Sequence, residues 1–271
     1  MNFENKLNYL KDVFGTLKAG NDISSAGPLL EHALLMLSGL KTEPEIGRYV
    51  DRLSFIQQDF EEFKCTKQSN RQQLGKIYDR IMQKSDEAKT AKLLFNYFWH
   101  TKPNRYDSNF LLADVIDAQL YEDKDIGVGS CLGLTQMDAL IGLRCGLDIS
   151  IQVSDEHIYY VVKDGNRNIH VENTDRFGFN SGFDKKSADF SLCYIIPVVC
   201  HNCGIRNHAN GDFKRAADDY SLVIELCPNA STPYFNRGTV RYKLGDSEGG
   251  KEDFDKAAEL NPNINYKNKV D

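Results

Sequence analysis

Gly127-Val-Gly-Ser-Cys131-Leu-Gly-Leu-Thr-Gln-Met-Asp-Ala-Leu-Ile-Gly-Leu-Arg-Cys-Gly-Leu147 is the stretch at which the pattern of the chain changes. Glycines and a serine lead into a long apolar run, so the segment reads as a loop feeding a helix, with Cys131 at the junction. A thiolate at that position is favoured over the thiol, because free peptide amides and the positive end of the helix dipole face it. Gly129 and Gly133 have no side chain and would let the backbone come close to a substrate, and the Cys131 amide is placed to donate to a developing oxyanion. The plainer reading of Cys131 is a small buried hydrophobe in a helix cap.

Upstream, the sequence from Asn2 to about Tyr97 is rich in helix formers, with apolar residues at three- and four-residue spacings such as Leu7, Leu10, Phe14 and Leu17. Gly20 to Asp22, Gly39 to Pro44 and Thr66 to Asn70 are expected to break it into four or five helices. A loop at Lys102 to Asp107 precedes a further helical stretch, Phe110 to Leu120. Trp99, with Phe95, Tyr97 and Phe98, reads as a core aromatic patch or as the wall of a pocket.

Downstream, the period falls to two. Ile149 to Val153, His157 to Val162 and Asn168 to Glu172 are short, β-branched or aromatic runs, and Lys163-Asp164-Gly165-Asn166 between the last two is a hairpin signal. Phe190 to Val199 reads as one more strand. A small antiparallel sheet preceded by a helix is expected.

The hairpin places chemistry beside Cys131. A thiol nucleophile needs a base, and His157 starts one strand; the base needs an orienting group, and antiparallel pairing across the turn brings Glu172 or Asn173 of the next strand beside it. His170 shares a face with Glu172 and is a possible neighbour of the same site. Cysteine on a helix start, histidine on a strand and an acid or amide on the next is a recurring way to assemble a triad.

The last seventy or so residues carry an internal repeat with a period of 34: Gly204 recurs as Gly238, Gly211 as Gly245, Asp212 as Asp246, Leu226 as Leu260, and Pro228-Asn229 as Pro262-Asn263. Ala216 and Tyr220, with their counterparts Gly250 and Phe254, fall where the second helix of each repeat packs on the first, and Tyr234 falls where an aromatic anchors a first helix. From about Val199 to Asn263 the chain resembles the tetratricopeptide family. Two such repeats bury little core by themselves, so they should stack on the preceding domain or on a partner.

Phe110-Leu-Leu-Ala-Asp-Val-Ile-Asp, then Gly-Ser-Cys131-Leu-Gly-Leu, then His157 and Val-Glu-Asn-Thr, resemble the transglutaminase-like superfamily, papain-like in fold. The likeness is to its prokaryotic branch, which joins a helical N-terminal part to C-terminal tetratricopeptide repeats. It implies an α+β protein with a helical region over 1–100, a papain/transglutaminase-like core with a small sheet over 101–198, and helical repeats over 199–271. Cys131 then matches the nucleophile and His157 the general base. Glu172 stands where the family usually has aspartate in an Asp-Pro-Thr-like run, with Asn173 in the place of the proline. The activity implied is hydrolysis of an amide or acyl transfer through a Cys131 thioester, the repeats recruiting a peptide or protein. The alternative is an inactive thiol fold serving as a binding scaffold.

Composition bounds the rest. Hydrophobic residues make up 41% and charged residues 27% of 271, which is ordinary for a globular chain. The net charge of −6, without a basic stripe interleaved with aromatics, argues against nucleic-acid partners. No long apolar run suggests a membrane span, and the mixed-charge N-terminus lacks the plan of a secretory signal, so the expected location is the cytoplasm. The seven cysteines then read as reduced thiols. Cys200-x-x-Cys203, near Cys193, His201 and His208, invites a zinc site, but these cysteines fall at core positions of a repeat. Neither a metal nor a cofactor is expected.

Overall fold

The computed structural model describes residues 3–20, 23–74, 85–154, 157–180 and 188–262. The chain divides into two compact units, one formed by Thr16–Cys193 and the other by Met1–Gly15 with Tyr194–Asp271.

The first unit combines helices with a small sheet. Helix α1 spans Phe3–Lys18, and only its last turn belongs here. Helices α2 (Ile23–Leu37), α3 (Glu43–Leu74), α4 (Asp86–Thr101), α5 (Leu112–Leu120) and α6 (Cys131–Arg144) follow. Gly20 and Gly39, at φ of 77° and 97°, end α1 and α2 in the left-handed region that glycine adopts at little cost. The expected break at Thr66 to Asn70 does not occur. Helix α3 runs through it, because that stretch contains neither Gly nor Pro and its polar residues each cost only a few tenths of a kcal/mol in a helix. The Thr66 hydroxyl donates back to the Glu62 carbonyl at 3.0 Å instead of unwinding the turn. Leu53, Ile56 and Phe60 form the buried stripe of α3, and Phe95, Tyr97 and Phe98 of α4 are core residues.

Helix α6 is the centre of this unit. Every residue from Leu132 to Gly142 is buried, which is why the sequence is apolar on all sides rather than on one stripe. It packs against α2, α3, α4 and α5 and against strands β1 (Ile149–Val153) and β2 (Ile158–Asp164). Strands β3 (Arg167–Val171) and β4 (Ala188–Ser191) complete an antiparallel sheet of order β3-β2-β1-β4. The β2–β3 turn has Gly165 at φ 57°, as the hairpin signal requires.

Of the expected strand from Phe190 to Val199 only the first two residues are extended. β4 ends at Ser191, a short 3₁₀ turn covers Leu192–Tyr194, and α7 begins at Ile195. Pro197 lies in the first turn of α7, where its missing N–H has no helical partner to lose, so a β-branched Ile-Ile-Pro-Val-Val run is accommodated as a helix once its side chains are buried.

The second unit contains the repeats as α7 (Ile195–Ala209), α8 (Phe213–Leu226), α9 (Ser231–Lys243) and α10 (Ser247–Leu260), each packed on the next. The 34-residue period recurs in the bonding. Asp212 caps α8 by accepting from Arg215 N and Asp246 caps α10 by accepting from Gly249 N, while Gly211 and Gly245 take φ of 76° and 86°. Gly204 and Gly238 are forced by contact: a Cβ on the first would lie 2.6 Å from the Tyr220 ring, and on the second 3.0 Å from the Phe254 ring and the Gly250 carbonyl. Ala216, Tyr220 and Val240 are fully buried together. Residues 3–15 of α1 belong to this unit, where Phe14 meets Tyr194 edge-on at 5.2 Å and Lys11 pairs with Glu225 at 2.8 Å.

Candidate functional site

The segment from Lys102 to Asn109 runs alongside 121–130 and sets where Cys131 stands. Lys102 Nζ donates to the carbonyls of Tyr121 and Asp123 at 2.6 and 2.5 Å, and Asn104 Nδ2 to that of Asp125 at 2.7 Å. The Arg105 carbonyl accepts from Val128 N and Gly129 N at 3.1 Å, and the Asn109 carbonyl from Ser130 N at 2.7 Å. Glycines make this approach possible. A Cβ on Gly127 would lie 2.3 Å from the Tyr106 carbonyl, on Gly129 2.9 Å from Val115 and 3.0 Å from the Asn109 carbonyl, and on Gly133 2.5 Å from that same carbonyl. The expectation that Gly129 and Gly133 clear room for a substrate is thus corrected: they clear room for the chain's own 106–110 backbone.

Behind the loop, the Arg105 guanidinium donates to both Asp138 oxygens at 2.9 and 3.0 Å and to Gln119 Oε1 at 2.9 Å, with both charged groups fully buried. Burial pushes the Asp138 carboxyl up, and Arg105 pulls against that shift. Asp138 lies two turns after Cys131 on the same helix, so this pair ties the thiol's helix to the segment that shapes its loop.

Ser130 caps α6 through Gly133 N, leaving Cys131 half-buried as the first helical residue. One turn on, Thr135 Oγ1 donates to the Ile158 carbonyl at 3.3 Å, which binds the helix to β2 where His157 precedes it. His157 is held by Ser154, whose hydroxyl accepts from His157 N at 3.1 Å and whose N–H donates to the His157 carbonyl at 2.8 Å. The β2–β3 register pairs Tyr160 with Val171, so extending it sets Glu172 opposite Tyr159 and diagonal to His157 on one face.

The structure brings Cys131, His157 and Glu172 together. Glu172 Oε2 meets His157 Nε2, and the His157 ring stands near enough to Cys131 to act on its thiol, with Nδ1 the nitrogen that Glu172 does not engage. Glu172 Oε1 accepts from Thr174 N at 2.7 Å and Thr174 Oγ1 at 2.6 Å, which fixes the carboxylate. Gly178 closes on it from behind: its carbonyl accepts from Glu172 N at 3.0 Å, and a Cβ there would lie 2.3 Å from the Glu172 carbonyl oxygen. Between the two candidate orienting residues, Glu172 rather than Asn173 contacts the imidazole; Asn173 is buried with Nδ2 unpartnered. His170 is separated from His157 by Tyr159, whose ring centroid lies 6.1 Å from one and 5.9 Å from the other.

The electrostatics draw the thiol and imidazole titrations toward each other. Burial pushes the Cys131 thiol up, but hydrogen bonds from His157 and from the Ile158 and Leu132 amides, with the His157 charge, outweigh it and hold the thiol below its ordinary value. His157 is raised by its bond to Cys131 and by the charge of Glu172, against the opposite pull of burial. Other thiols behave differently: burial pushes Cys145 up to about 12 and Cys203 up to about 11, and raises Cys200 as well.

Thr174 and Gly178 were not singled out from the sequence. A threonine two residues past a carboxylate is a weak local signal for the first, and nothing in Arg-Phe-Gly-Phe marks the second.

The class of module at the C-terminus is defined by comparison as well as by the fold: residues 231–264 match the tetratricopeptide repeat, a module that supports a protein-binding role. No curated protein matches the chain. Among solved structures, the chain is similar to the crystal structure of menin that reveals the binding site for Mixed Lineage Leukemia (MLL) protein, at 8% identity over 94% of this chain and 70% of that one, with a TM-score of 0.42. Among the described residues no helix is long and apolar enough to cross a membrane.

Proposed function

We propose that this chain is a thiol enzyme of the transglutaminase-like kind, with a papain-like core, that hydrolyses an amide or transfers its acyl group through a thioester on Cys131. The observation that carries this reading is the Cys131–His157–Glu172 chain, with the sulfur at a helix N-terminus and below its ordinary pKa. In this scheme the Cys131 proton passes to His157 Nδ1 while Glu172 holds Nε2–H and stabilises the imidazolium. The thiolate adds to the substrate carbonyl carbon. His157 then protonates the departing amine, leaving an acyl thioester. Water or an acceptor amine, deprotonated by His157, releases the acyl group and restores the thiol.

The repeats fit recruitment of the peptide or protein that presents the amide. A second reading, favoured by the repeat match at residues 231–264, is that protein binding is the whole function and the thiol site is silent.

The deciding experiment is the pH dependence of iodoacetamide labelling at Cys131, read by mass spectrometry, for the native chain and for His157→Ala. The thiol is lowered and the imidazole raised; an activated thiolate would keep labelling fast below about pH 7, and the variant would lose this. The profile of an ordinary thiol in the native chain would sink the enzyme reading and leave the binding one.

A further inference from the structure

A threonine inside a helix has a ready use for its hydroxyl in the carbonyl four residues back on the same helix. Thr66, Thr101 and Thr239 take it, donating to the carbonyls of Glu62, Tyr97 and Phe235 at 3.0, 3.0 and 3.1 Å. For Thr135 that carbonyl belongs to Cys131. Its hydroxyl instead leaves α6 and donates to the Ile158 carbonyl of β2 at 3.3 Å.

Ile158 is open to this bond because of where β3 stops. Ser154 N donates to the His157 carbonyl and Lys163 N to that of Asp148, so the odd-numbered residues of β2 turn their backbone groups toward β1 and the even-numbered ones toward β3. Pairing with β3 ends at Tyr160 and Val171, which leaves Ile158 two residues past the end of the ladder. Helix α6 takes up both of its backbone groups: Thr135 binds the carbonyl, and the N–H stands near enough to Cys131 to lower its thiol.

We propose that Thr135 is a positioning residue of the thiol site, its hydroxyl holding Ile158, and with it His157, in place beside Cys131; this rests on the reading of Cys131 and His157 as nucleophile and base. Thr135 lies one helical turn after Cys131, and Ile158 directly follows His157. The two ends of the bond are 1% and 4% exposed, so it is closed to water. The polar residues in the buried length of α6 thus tie it to different neighbours. Gln136 reaches the Phe110 carbonyl at 2.6 Å, Asp138 reaches Arg105, and Thr135 reaches the strand that His157 leads into.

The test compares Thr135→Val and Thr135→Ala, which lack the hydroxyl, with Thr135→Ser, which keeps it. Valine retains the β-branched shape and serine loses only the methyl, so packing and hydrogen bonding are separated. The pH profile of iodoacetamide labelling at Cys131, the titration of the His157 ring by proton NMR and the thermal midpoint are measured for each. In the hydroxyl-free variants the acid limb of labelling should slow about three- to tenfold, the worth of one hydrogen bond, while the alkaline plateau holds because the reagent still reaches the thiolate. The two titrations should part, Cys131 moving up and His157 down, since each is shifted in part by the other. Thr135→Ser should keep the native profile even where its thermal midpoint falls.

A native profile in the hydroxyl-free variants overturns the role of Thr135 and leaves the thiol site standing. A profile lost equally in Thr135→Ser assigns the effect to packing and overturns it as well. Ordinary-thiol labelling in the native chain removes the reading on which the role rests. If neither hydroxyl-free variant folds, Thr135 is a structural residue and the inference fails.

Discussion

Glu172 divides its two oxygens between different tasks, one facing His157 and the other held by Thr174. Glu172→Gln keeps the size and the acceptor for Thr174 but removes the charge that stabilises the imidazolium. The Cys131 titration should then move up toward an ordinary thiol. We expect iodoacetamide labelling in the acid limb to slow about tenfold, equivalent to about one pKa unit; an unchanged limb would mean that the helix terminus and the backbone amides alone hold the thiol down. Gly178→Ala acts on the same carboxylate through sterics. The new methyl would meet the Glu172 carbonyl oxygen, Cβ and Cγ at 2.3, 2.7 and 2.9 Å, most of it backbone or near-backbone that cannot yield. Such overpacking costs about 1–3 kcal/mol, and it should appear both as a lower urea midpoint and as lost low-pH labelling. The meeting of His157 with Glu172 was legible because the hairpin spacing brings the two together. Thr174 and Gly178 were not, since a local hydrogen bond and a close backbone approach leave almost no trace in residue type.

At the level of elements, α6 carries the thiol and also the unit's fully buried charge pair. Removing one member of such a pair leaves the other charge without compensation, which costs about 3–5 kcal/mol. Asp138→Ala should therefore lower stability by about that much in urea unfolding. A loss under about 1 kcal/mol would mean that Arg105 finds another partner. The elements that sequence periodicity located best are those whose pattern agrees with their burial: β1 at Ile149–Val153, the Gly165 turn and the 34-residue repeat. The misses fall where the two disagree. Ile195 to Val199 is β-branched yet helical, because Pro197 sits in a first turn and both isoleucines are fully buried there. Thr66 to Asn70 is polar yet helical, because polarity without Gly or Pro is a weak breaker.

For the whole molecule, a surface the sequence did not point to joins the repeats within their own unit: residues 3–15 of α1. Phe14 is buried and sits edge-on against Tyr194, one residue before α7. Phe14→Ala should destabilise the helical unit by about 3–5 kcal/mol. Hydrogen exchange would show it as faster exchange of α7 and α8 amides, and unchanged protection there would count against α1 as a structural part of the repeats.

The composition of that unit from both ends of the described chain has a consequence for its making. Residues 16–193 are contiguous and can close on themselves as soon as they leave the ribosome, whereas residues 1–15 must wait for the segment beginning at Tyr194. At about 5–20 residues per second the wait is roughly 10–40 s. Leu10, Val13 and Phe14 thus leave the ribosome well before the repeat they belong to is made, and throughout that interval the nascent chain carries an amphipathic segment with its apolar face uncovered.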